Sequence, residues 1–146
     1  VCLMSNFERT KMRKYKNIDC LIINERELRH ELRDKNNKIE LLVKKLASQQ
    51  NIKDLNVTRG TEGSMLYNKK ESKFKSCEAF AKSAVDKIGA GDAMLSMIAL
   101  CLKSKLDKNL SLLAASLAAA QSVETIGNSE TINKIKILKS INHLLK

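Results

Sequence analysis

Two short apolar runs separated by a helical pattern constrain the fold of this chain more than any other feature of its sequence. Ile18–Ile23 reads IDCLII and Asp54–Thr58 reads DLNVT, and each run predicts a buried strand. The stretch between them, Glu25–Gln50, carries apolar residues at helical spacing, and Asn36 and Asn37 either divide it into two helices or kink one. Strands that alternate with helices indicate a layered α/β fold.

The rest of the chain continues this alternation, with a β-hairpin near its middle and helices towards its end. Two strands, Ser64–Tyr67 and Lys73–Ser76, are predicted on either side of a turn at Lys69–Ser72, and Phe80–Val85 is expected to be extended. Helices are predicted at Asp92–Lys105, Leu110–Ile126 and Ile132–Leu145. The opening stretch VCLMSNFERTKMRKY has no clean helical or strand period, and we expect the chain to begin within a larger fold.

The net charge of +11 over 146 residues first suggests a phosphate-rich partner such as nucleic acid. However, the basic residues are spread along the whole sequence, and aromatic residues make up only 3%, so bases would have little to stack on. No apolar run approaches the ~18 residues of a membrane-spanning helix. We therefore expect neither a nucleic-acid partner nor a membrane.

The cysteines and histidines give no sign of a metal site. The cysteines are Cys2, Cys20, Cys77 and Cys101. They form no CxxC pair, and their apolar neighbours predict buried or half-buried thiols in a reducing compartment, which favours a cytoplasmic protein. His30 and His143 stand alone, which is more typical of surface histidines than of metal ligands.

Three small residues, Gly89, Ala90 and Gly91, stand directly before Asp92 in the stretch VDKIGAGDAMLS. A helix that begins there presents unpaired backbone N–H groups and the positive end of its dipole, which together bind anions such as phosphate. Glycine lets phosphate oxygens approach the backbone because it has no Cβ. A carboxylate in the same turn can accept the proton of a hydroxyl that attacks phosphorus, so GAGD is a candidate phosphoryl-transfer turn.

Other interpretations of this turn compete with catalysis. Asp is an ordinary helix N-cap, and a turn of this kind that only starts a helix is common. A dinucleotide-binding fingerprint is less favoured, because Met94 stands where the third Gly belongs and no acidic residue ends a strand about 20 residues later. A Walker A loop is excluded because the chain has no GK[ST] sequence.

The order of the neighbouring motifs favours phosphoryl transfer. Asn24 and Glu27 form an NxxE pattern at a strand-to-helix junction, and Thr58 and Gly60 close the next strand. The GAGD turn follows, and an Ala- and Ser-rich helix comes after it. This succession resembles the C-terminal half of the PfkB/ribokinase family of carbohydrate kinases, whose C-terminal signature is similar to D-T-x-G-A-G-D.

The resemblance rests on NERE at 24–27, NVTRGTEGSMLY at 56–67 and VDKIGAGDAMLS at 85–96, and it extends over the chain from Ile18 onwards. It implies a ribokinase-like three-layer α/β/α fold, with 1–146 as the C-terminal part of one kinase domain and the N-terminal half and lid absent. It also implies an ATP-dependent kinase that phosphorylates a hydroxyl of a sugar or sugar phosphate. A fragment of this extent is expected to be inactive on its own.

The resemblance also implies a role for each matched residue. Asp92 matches the family's general base, and the backbone N–H groups of Gly89, Ala90 and Gly91 match the anion hole for the transferred phosphoryl group. The NxxE pair, associated with magnesium and phosphate positioning, is matched by Asn24 and Glu27, which suits the preference of Mg2+ for oxygen ligands. Nucleotide-binding positions are matched by Thr58, Gly60, Gly63, Gly127 and Asn128, of which the last two fall near the family's adenine pocket and monovalent-cation loop.

Departures from the family pattern leave a second function open. Lys87 and Ile88 replace the hydroxyl residues that follow Asp86 in the family signature, and Met94 stands where an aromatic residue is common. A catalytically inactive ribokinase-like module that binds a nucleotide or a partner is therefore the alternative to a kinase.

The motifs are also similar to the kinase modules of bacterial heptose-phosphate and nucleotide-sugar pathways, which are often fused to a nucleotidyltransferase. The implied ligands are ATP, Mg2+, a monovalent cation and a sugar or sugar phosphate. The implied partner is the N-terminal half of the same fold, which would dock on an exposed sheet edge. A fused or separate nucleotidyltransferase and a homodimer stay open.

Overall fold

The computed structural model of the protein describes residues 2–4, 16–81, 88–124 and 131–146. The chain forms two compact units, Val1–Ser76 and Cys77–Lys146. In the described residues, the first unit holds a β-sheet and two α-helices, and the second unit holds three α-helices.

The sheet of the first unit brings five described strands side by side in chain order. They are β1 (Cys2–Met4), β2 (Cys20–Asn24), β3 (Asp54–Thr58), β4 (Ser64–Asn68) and β5 (Lys73–Cys77). The first three strands run parallel, whereas β4 runs antiparallel to β3. Asn24 pairs with Thr58, so β2 and β3 end side by side at the same edge of the sheet.

Helices α1 (Glu25–Leu32) and α2 (Ile39–Gln49) form one hydrophobic core with one face of this sheet. Alternate strand residues share a face, and the buried ones on this face are Leu21, Ile23, Leu55, Val57, Met65 and Tyr67. The helices contribute Leu28, Ile39, Leu42, Val43, Leu46 and Ala47. The apolar positions of α2 therefore follow the helical period that the sequence predicts.

The β4–β5 hairpin contains an aromatic pair, and a lysine of α2 lies over one of its rings. The ring centroids of Tyr67 and Phe74 lie 4.7 Å apart, and the Lys44 ammonium lies 5.7 Å from the centroid of the Phe74 ring. In the connecting turn, the side-chain oxygen of Asn68 accepts a hydrogen bond from the backbone N–H of Glu71 at 2.8 Å. Stacking and cation–π contacts of this kind stabilise the hairpin beyond the area that they bury.

The described part of the second unit is helical, with α3 (Ala90–Lys103), α4 (Lys108–Val123) and α5 (Lys134–Leu144). Helices α3 and α4 pack along each other, and α5 places Ile137 against Leu117 and Ala118 of α4. Asp107 caps α4 and Asn133 caps α5, each by accepting two backbone N–H bonds. No helix in the described segments is both long and apolar enough to cross a membrane.

The four cysteines are free thiols, and two of them, Cys20 and Cys101, are buried. Cys2 and Cys77 are half-buried, as the sequence predicts for the set as a whole. Burial raises the pKa of the Cys77 and Cys101 thiols. Both therefore stay protonated at neutral pH and are poor nucleophiles.

The predicted strands β2–β5 and all five helices are confirmed, with ends that differ by up to three residues. Two helices follow β2 instead of one kinked helix, because Arg33 adopts a left-handed conformation with φ +51° and ends α1. Phe80 and Ala81 belong to no strand. The remainder of the expected extended segment, residues 82–85, lies outside the described residues, and so does the expected helix cap Gly127.

One strand of the sheet was missed by the sequence prediction. The opening stretch shows no strand period, yet Cys2–Met4 pairs with β2 as a parallel edge strand, Leu3 opposite Leu21. Three residues are too few for alternation to show, and the pairing partner lies 18 positions away along the chain. The strand is stabilised by a tertiary pairing that local pattern does not encode.

Leu41 and Leu42 provide a test of which face of α2 packs on the sheet. Leu42 is buried in the core, whereas its neighbour Leu41 is 57% exposed. We expect Leu42→Ala to lower the free energy of unfolding by about 2–5 kcal/mol, because the substitution leaves a cavity. Leu41→Ala should change it by less than about 0.5 kcal/mol. Urea denaturation followed by circular dichroism measures both, and equal effects would contradict the packing of α2.

Candidate functional site

The junction between β2 and α1 is held by a reciprocal pair of hydrogen bonds. The Oδ1 atom of Asn24 accepts the backbone N–H of Glu27 at 2.8 Å, and the backbone N–H of Asn24 donates to Oε2 of Glu27 at 3.1 Å. This is a capping box, which satisfies backbone donors at the start of α1. The NxxE pattern therefore has a structural role in α1, which the sequence prediction did not include.

The chain leaves β3 through a tight turn that contains two glycines with positive φ. Gly60–Glu62 forms a single 3-10 turn, and the backbone N–H of Arg59 donates to the carbonyl oxygen of Gly63 at 2.8 Å. Gly60 has φ +60° and Gly63 has φ +82°, and residues with a Cβ rarely adopt such values. A Cβ at Gly60 would meet no atom within 4 Å, so there is open space on that side of the backbone.

The sheet register brings these two segments together. Asn24 pairs with Thr58, and Thr58 pairs in turn with Ser64, so the ends of β2 and β3 and the start of β4 lie in one row. Ligands of open α/β sheets bind at the carboxyl ends of the parallel strands. The first unit therefore places the predicted residues Asn24, Glu27, Thr58, Gly60 and Gly63 around one end of the sheet.

An ion-pair network, which the sequence analysis did not detect, crosses the same end of the sheet. The carboxylate of Glu25 is bonded by Arg29 at 2.8 Å and by Arg59 at 3.1 Å, and Arg59 also pairs with Glu62. The Glu25–Arg29 spacing of four residues on a helix is a sequence signal for the first pair. No local signal marks the second, because Glu25 and Arg59 are 34 positions apart.

The two arginines set the protonation of Glu25. Burial alone would raise the pKa of this carboxyl group, but the hydrogen bonds from Arg29 and Arg59 outweigh it and hold the pKa below its ordinary value. Because the folded-state pKa is lowered, the network contributes to stability above the ordinary carboxyl pKa and loses this contribution as the pH falls through the folded-state pKa. Glu25 is therefore ionised at neutral pH.

In the second unit, the predicted phosphoryl-transfer turn is the start of helix α3. Gly89 is the N-cap residue, in a left-handed conformation with φ +88°, and no described side chain caps this end. Ala90, Gly91 and Asp92 form the first helical turn. The backbone N–H groups of a first turn have no acceptor within the helix. The first turn therefore presents backbone donors and the positive end of the dipole.

The interpretation of Asp92 as an N-cap is wrong. The helix begins at Ala90, two residues before the predicted start, so Asp92 is the third helical residue. Its side chain is exposed, and its backbone carbonyl accepts a hydrogen bond from the Ser96 hydroxyl at 2.8 Å. The carboxylate of Asp92 is thus not used to cap the helix and stands beside the first-turn N–H groups.

The residues of the NxxE pattern fit a magnesium ion whose other ligands are phosphate oxygens and water. Within the described parts of the chain, no three Asp, Glu, His or Cys side chains come close enough to enclose a metal ion. Asn24 and Glu27 each use one side-chain oxygen in the capping box. The second carboxylate oxygen of Glu27 is left as a possible ligand for a metal ion. Mg2+ is commonly bound through one or two carboxylates together with phosphates and waters.

Some residues singled out from the sequence lie outside the described parts of the chain, and others are placed in or beside α3. Gly127 and Asn128, near the expected adenine pocket, lie outside the described residues, and so do Asp86 and Lys87. Ile88, which replaces a family hydroxyl, is 71% exposed, and Met94 is buried in α3. The assignment of Gly127 and Asn128 to nucleotide or cation binding stays a prediction.

The chain matches a known protein family along most of its length. The model of the pfkB family carbohydrate kinases matches residues 2–135. The chain belongs to the pfkB family. No curated protein sequence matches it significantly.

Solved structures share its fold. The phosphofructokinase-2 of Escherichia coli, in complex with substrates and products, superposes with a TM-score of 0.83 over 99% of this chain at 14% identity. The ribokinase of Arabidopsis thaliana, complexed with ribose and ATP, gives a TM-score of 0.73 over 85% of the chain at 25% identity. The predicted ribokinase-like α/β fold is confirmed. The chain spans only 41% and 47% of the ribokinase and phosphofructokinase-2 chains, respectively.

Two substitutions of Glu27 separate its capping role from a role of its charge. Glu27→Ala should lower the free energy of unfolding by about 1 kcal/mol, because one arm of the capping box is lost. Glu27→Gln should lower it by less, because Gln forms the same capping box. Thermal and urea unfolding of the two variants measure the difference, and equal losses would contradict the hydrogen bond from Asn24 to the side chain.

Proposed function

We propose that the protein is an ATP-dependent kinase that transfers a phosphoryl group to a hydroxyl of a sugar or sugar phosphate. The observation that carries the proposal is the start of α3 in a member of the pfkB family. Its left-handed Gly89, its first-turn N–H groups and the exposed carboxylate of Asp92 combine an anion site with a base.

In the proposed reaction, Asp92 accepts the proton of the attacking sugar hydroxyl. The hydroxyl oxygen forms its new bond to the terminal phosphorus of ATP as the bond to the leaving ADP oxygen breaks. The backbone N–H groups of Gly89, Ala90 and Gly91 stabilise the charge on the transferred phosphoryl oxygens, and the glycines allow a close approach. Phosphoryl transfer needs little beyond such positioning and charge stabilisation.

The nucleotide is proposed to contact the strand ends of the first unit. Thr58, Gly60 and Gly63 offer backbone that approaches phosphate without steric hindrance, which is supported by the open space at Gly60. Asn24 and Glu27 are proposed to orient a magnesium ion bound to the phosphates, whose chemistry is to neutralise their charge. A ribokinase II structure of Escherichia coli, described as putative and similar to this chain at 22% identity, is in complex with ATP and Mg2+.

The substrate site is proposed to need the part of the kinase fold that this chain does not span. The chain covers less than half of the ribokinase and phosphofructokinase-2 structures, so sugar binding is assigned to the remainder of that fold. A heptose phosphate as the acceptor, a fused or partner nucleotidyltransferase, a monovalent cation near Gly127 and Asn128, a homodimer and a cytoplasmic location belong to the same proposal. The test must therefore use the natural polypeptide that carries this sequence.

Asp92→Asn tests the base assignment in that polypeptide. With ATP, Mg2+ and a panel of sugars and sugar phosphates, we expect kcat to fall by about 10²- to 10⁴-fold, because the variant cannot accept the hydroxyl proton. The KM for ATP should change little. Asp107→Asn is the matched control, because Asn also caps α4 and full activity should be retained.

Near-normal turnover by Asp92→Asn would refute the base assignment. A wild-type protein that binds ATP and transfers no phosphoryl group to any acceptor would favour the alternative function, a nucleotide-binding module without catalysis. The replacement of the family hydroxyls by Lys87 and Ile88 is the sequence observation behind that alternative.

Glu27→Gln tests the proposed magnesium role without loss of the capping box. We expect a higher Mg2+ concentration for half-maximal activity, because the variant lacks the carboxylate that would face the metal. Glu40→Gln is the matched control, since Glu40 is an exposed carboxylate in the first turn of the neighbouring helix α2 and is not part of the NxxE pattern. An unchanged magnesium titration of Glu27→Gln would count against the assignment.

A further inference from the structure

Arg59 occupies a position in which one guanidinium group joins two different strand-end segments. Its Nε atom lies 3.1 Å from Oε2 of Glu25, the first residue of α1, and a terminal nitrogen pairs with Glu62 in the turn after β3. The side chains of Arg59 and Glu25 are each only about one quarter exposed. A planar guanidinium can bond two carboxylates at once in a fixed geometry, which an ammonium group cannot do in the same way.

The sheet register explains why these side chains meet. Asn24 and Thr58 are paired as the last residues of β2 and β3, so the residues that follow, Glu25 and Arg59, leave the sheet side by side. Arg29 extends the connection, because it bonds Glu25 and also donates to the carbonyl oxygens of Lys35 and Asn37 in the loop between α1 and α2.

The charges of the network argue against direct phosphate binding by Arg59. Two guanidinium groups, of Arg29 and Arg59, face two carboxylates, of Glu25 and Glu62, so the formal charges cancel. Glu25 and Glu62 already occupy Nε and one terminal nitrogen of Arg59, so an anion would have to compete with two carboxylates for the guanidinium charge. The bonds of Arg59 to Glu25 and Glu62 instead connect the start of α1 to the Gly60–Gly63 turn.

We infer that Arg59 is a positioning residue for nucleotide and magnesium binding, acting through Glu25. It holds the Asn24–Glu27 junction and the Gly60–Gly63 turn in one fixed arrangement, so that neither segment has to be ordered when MgATP binds. This inference rests on the proposed function, which assigns these two segments to magnesium and nucleotide. Removal of a residue that orients a binding group through a hydrogen bond commonly lowers affinity or activity by about 10- to 100-fold.

The experiment compares four variants in the natural polypeptide that carries this sequence: Arg59→Gln, Arg59→Lys, Glu25→Gln and the double variant Glu25→Gln/Arg59→Gln. For Arg59→Gln we expect the KM for MgATP to rise about tenfold, with a much smaller change in kcat. Glu25→Gln should give a similar rise, and Arg59→Lys should recover part of it. The double variant should be less impaired than the two single effects combined, because both substitutions interrupt the Glu25–Arg59 pair.

A matched control lies at the opposite end of the same strands. Lys53 and Asp19 form an exposed ion pair just before β3 and β2, as Arg59 and Glu25 do just after them. Lys53→Gln should leave the KM for MgATP unchanged. A loss of thermal stability in Arg59→Gln without a change in KM would overturn the inference, and so would a rise in KM for Arg59→Gln that Glu25→Gln does not share.

Amide hydrogen exchange without nucleotide separates this inference from the proposed function. The N–H groups of Glu27 and Gly63 are hydrogen-bonded within the two segments, to Asn24 and Gly60. Both should exchange faster in Arg59→Gln and not in Lys53→Gln. If the wild-type protein neither binds nor uses MgATP, the proposed function fails, and unchanged exchange in Arg59→Gln refutes the positioning role independently.

Discussion

Parallel pairing between β2 and β3 determines where polar chemistry can occur in the first unit. With Asn24 opposite Thr58, two strands that are buried along most of their length end together, and their last residues meet at one edge. A shift of one residue in this register would turn Leu55 and Val57 away from the core that they share with α1 and α2. The hydrophobic core therefore specifies the alignment of the polar residues that follow the strands.

The backbone leaves the two strand ends in different ways, and both ways are stabilised locally. After β2 the chain enters α1 through the capping box of Asn24 and Glu27, and after β3 it turns through Gly60 and Gly63 with positive φ. Arg59 connects the two exits. These contacts are all within the chain, so the arrangement needs no ligand to form. In the proposed function, this limits the conformational entropy that nucleotide binding must overcome.

Most of the fold could be predicted from the sequence because its elements carry their own signals. The β2 run, the period of α2 and the hairpin turn before Lys73 are local patterns, and each element was confirmed. β1 could not be predicted, because three residues show no period and the strand depends on pairing with Leu21 and its neighbours. The predicted start of α3 at Asp92 is two residues too late, because the sequence pattern does not show that Gly89 adopts the left-handed conformation and caps the helix.

The candidate site shows the same division between local and long-range information. The motifs NERE and GAGD predict the candidate residues, and their roles stay predictions. The capping box could have been detected from Asn24 and Glu27 by their spacing. Arg59 could not, because its partner Glu25 is distant in sequence and adjacent only through the strand register. Long-range ion pairs are therefore the part of such a site that only the structure reveals.

The strand ends of the first unit and the start of α3 differ in how many of their polar groups already form hydrogen bonds or ion pairs. At the strand ends of the first unit, Asn24, Glu27, Glu25 and Arg59 bond one another or the backbone, so they are suited to hold a ligand in place. At the start of α3, no described side chain caps the helix, and the Asp92 carboxylate is exposed beside the first-turn N–H groups. A group that must accept a proton or stabilise a new charge cannot be committed to other bonds beforehand. This difference supports the proposed assignment of binding to the strand ends and of phosphoryl transfer to the start of α3.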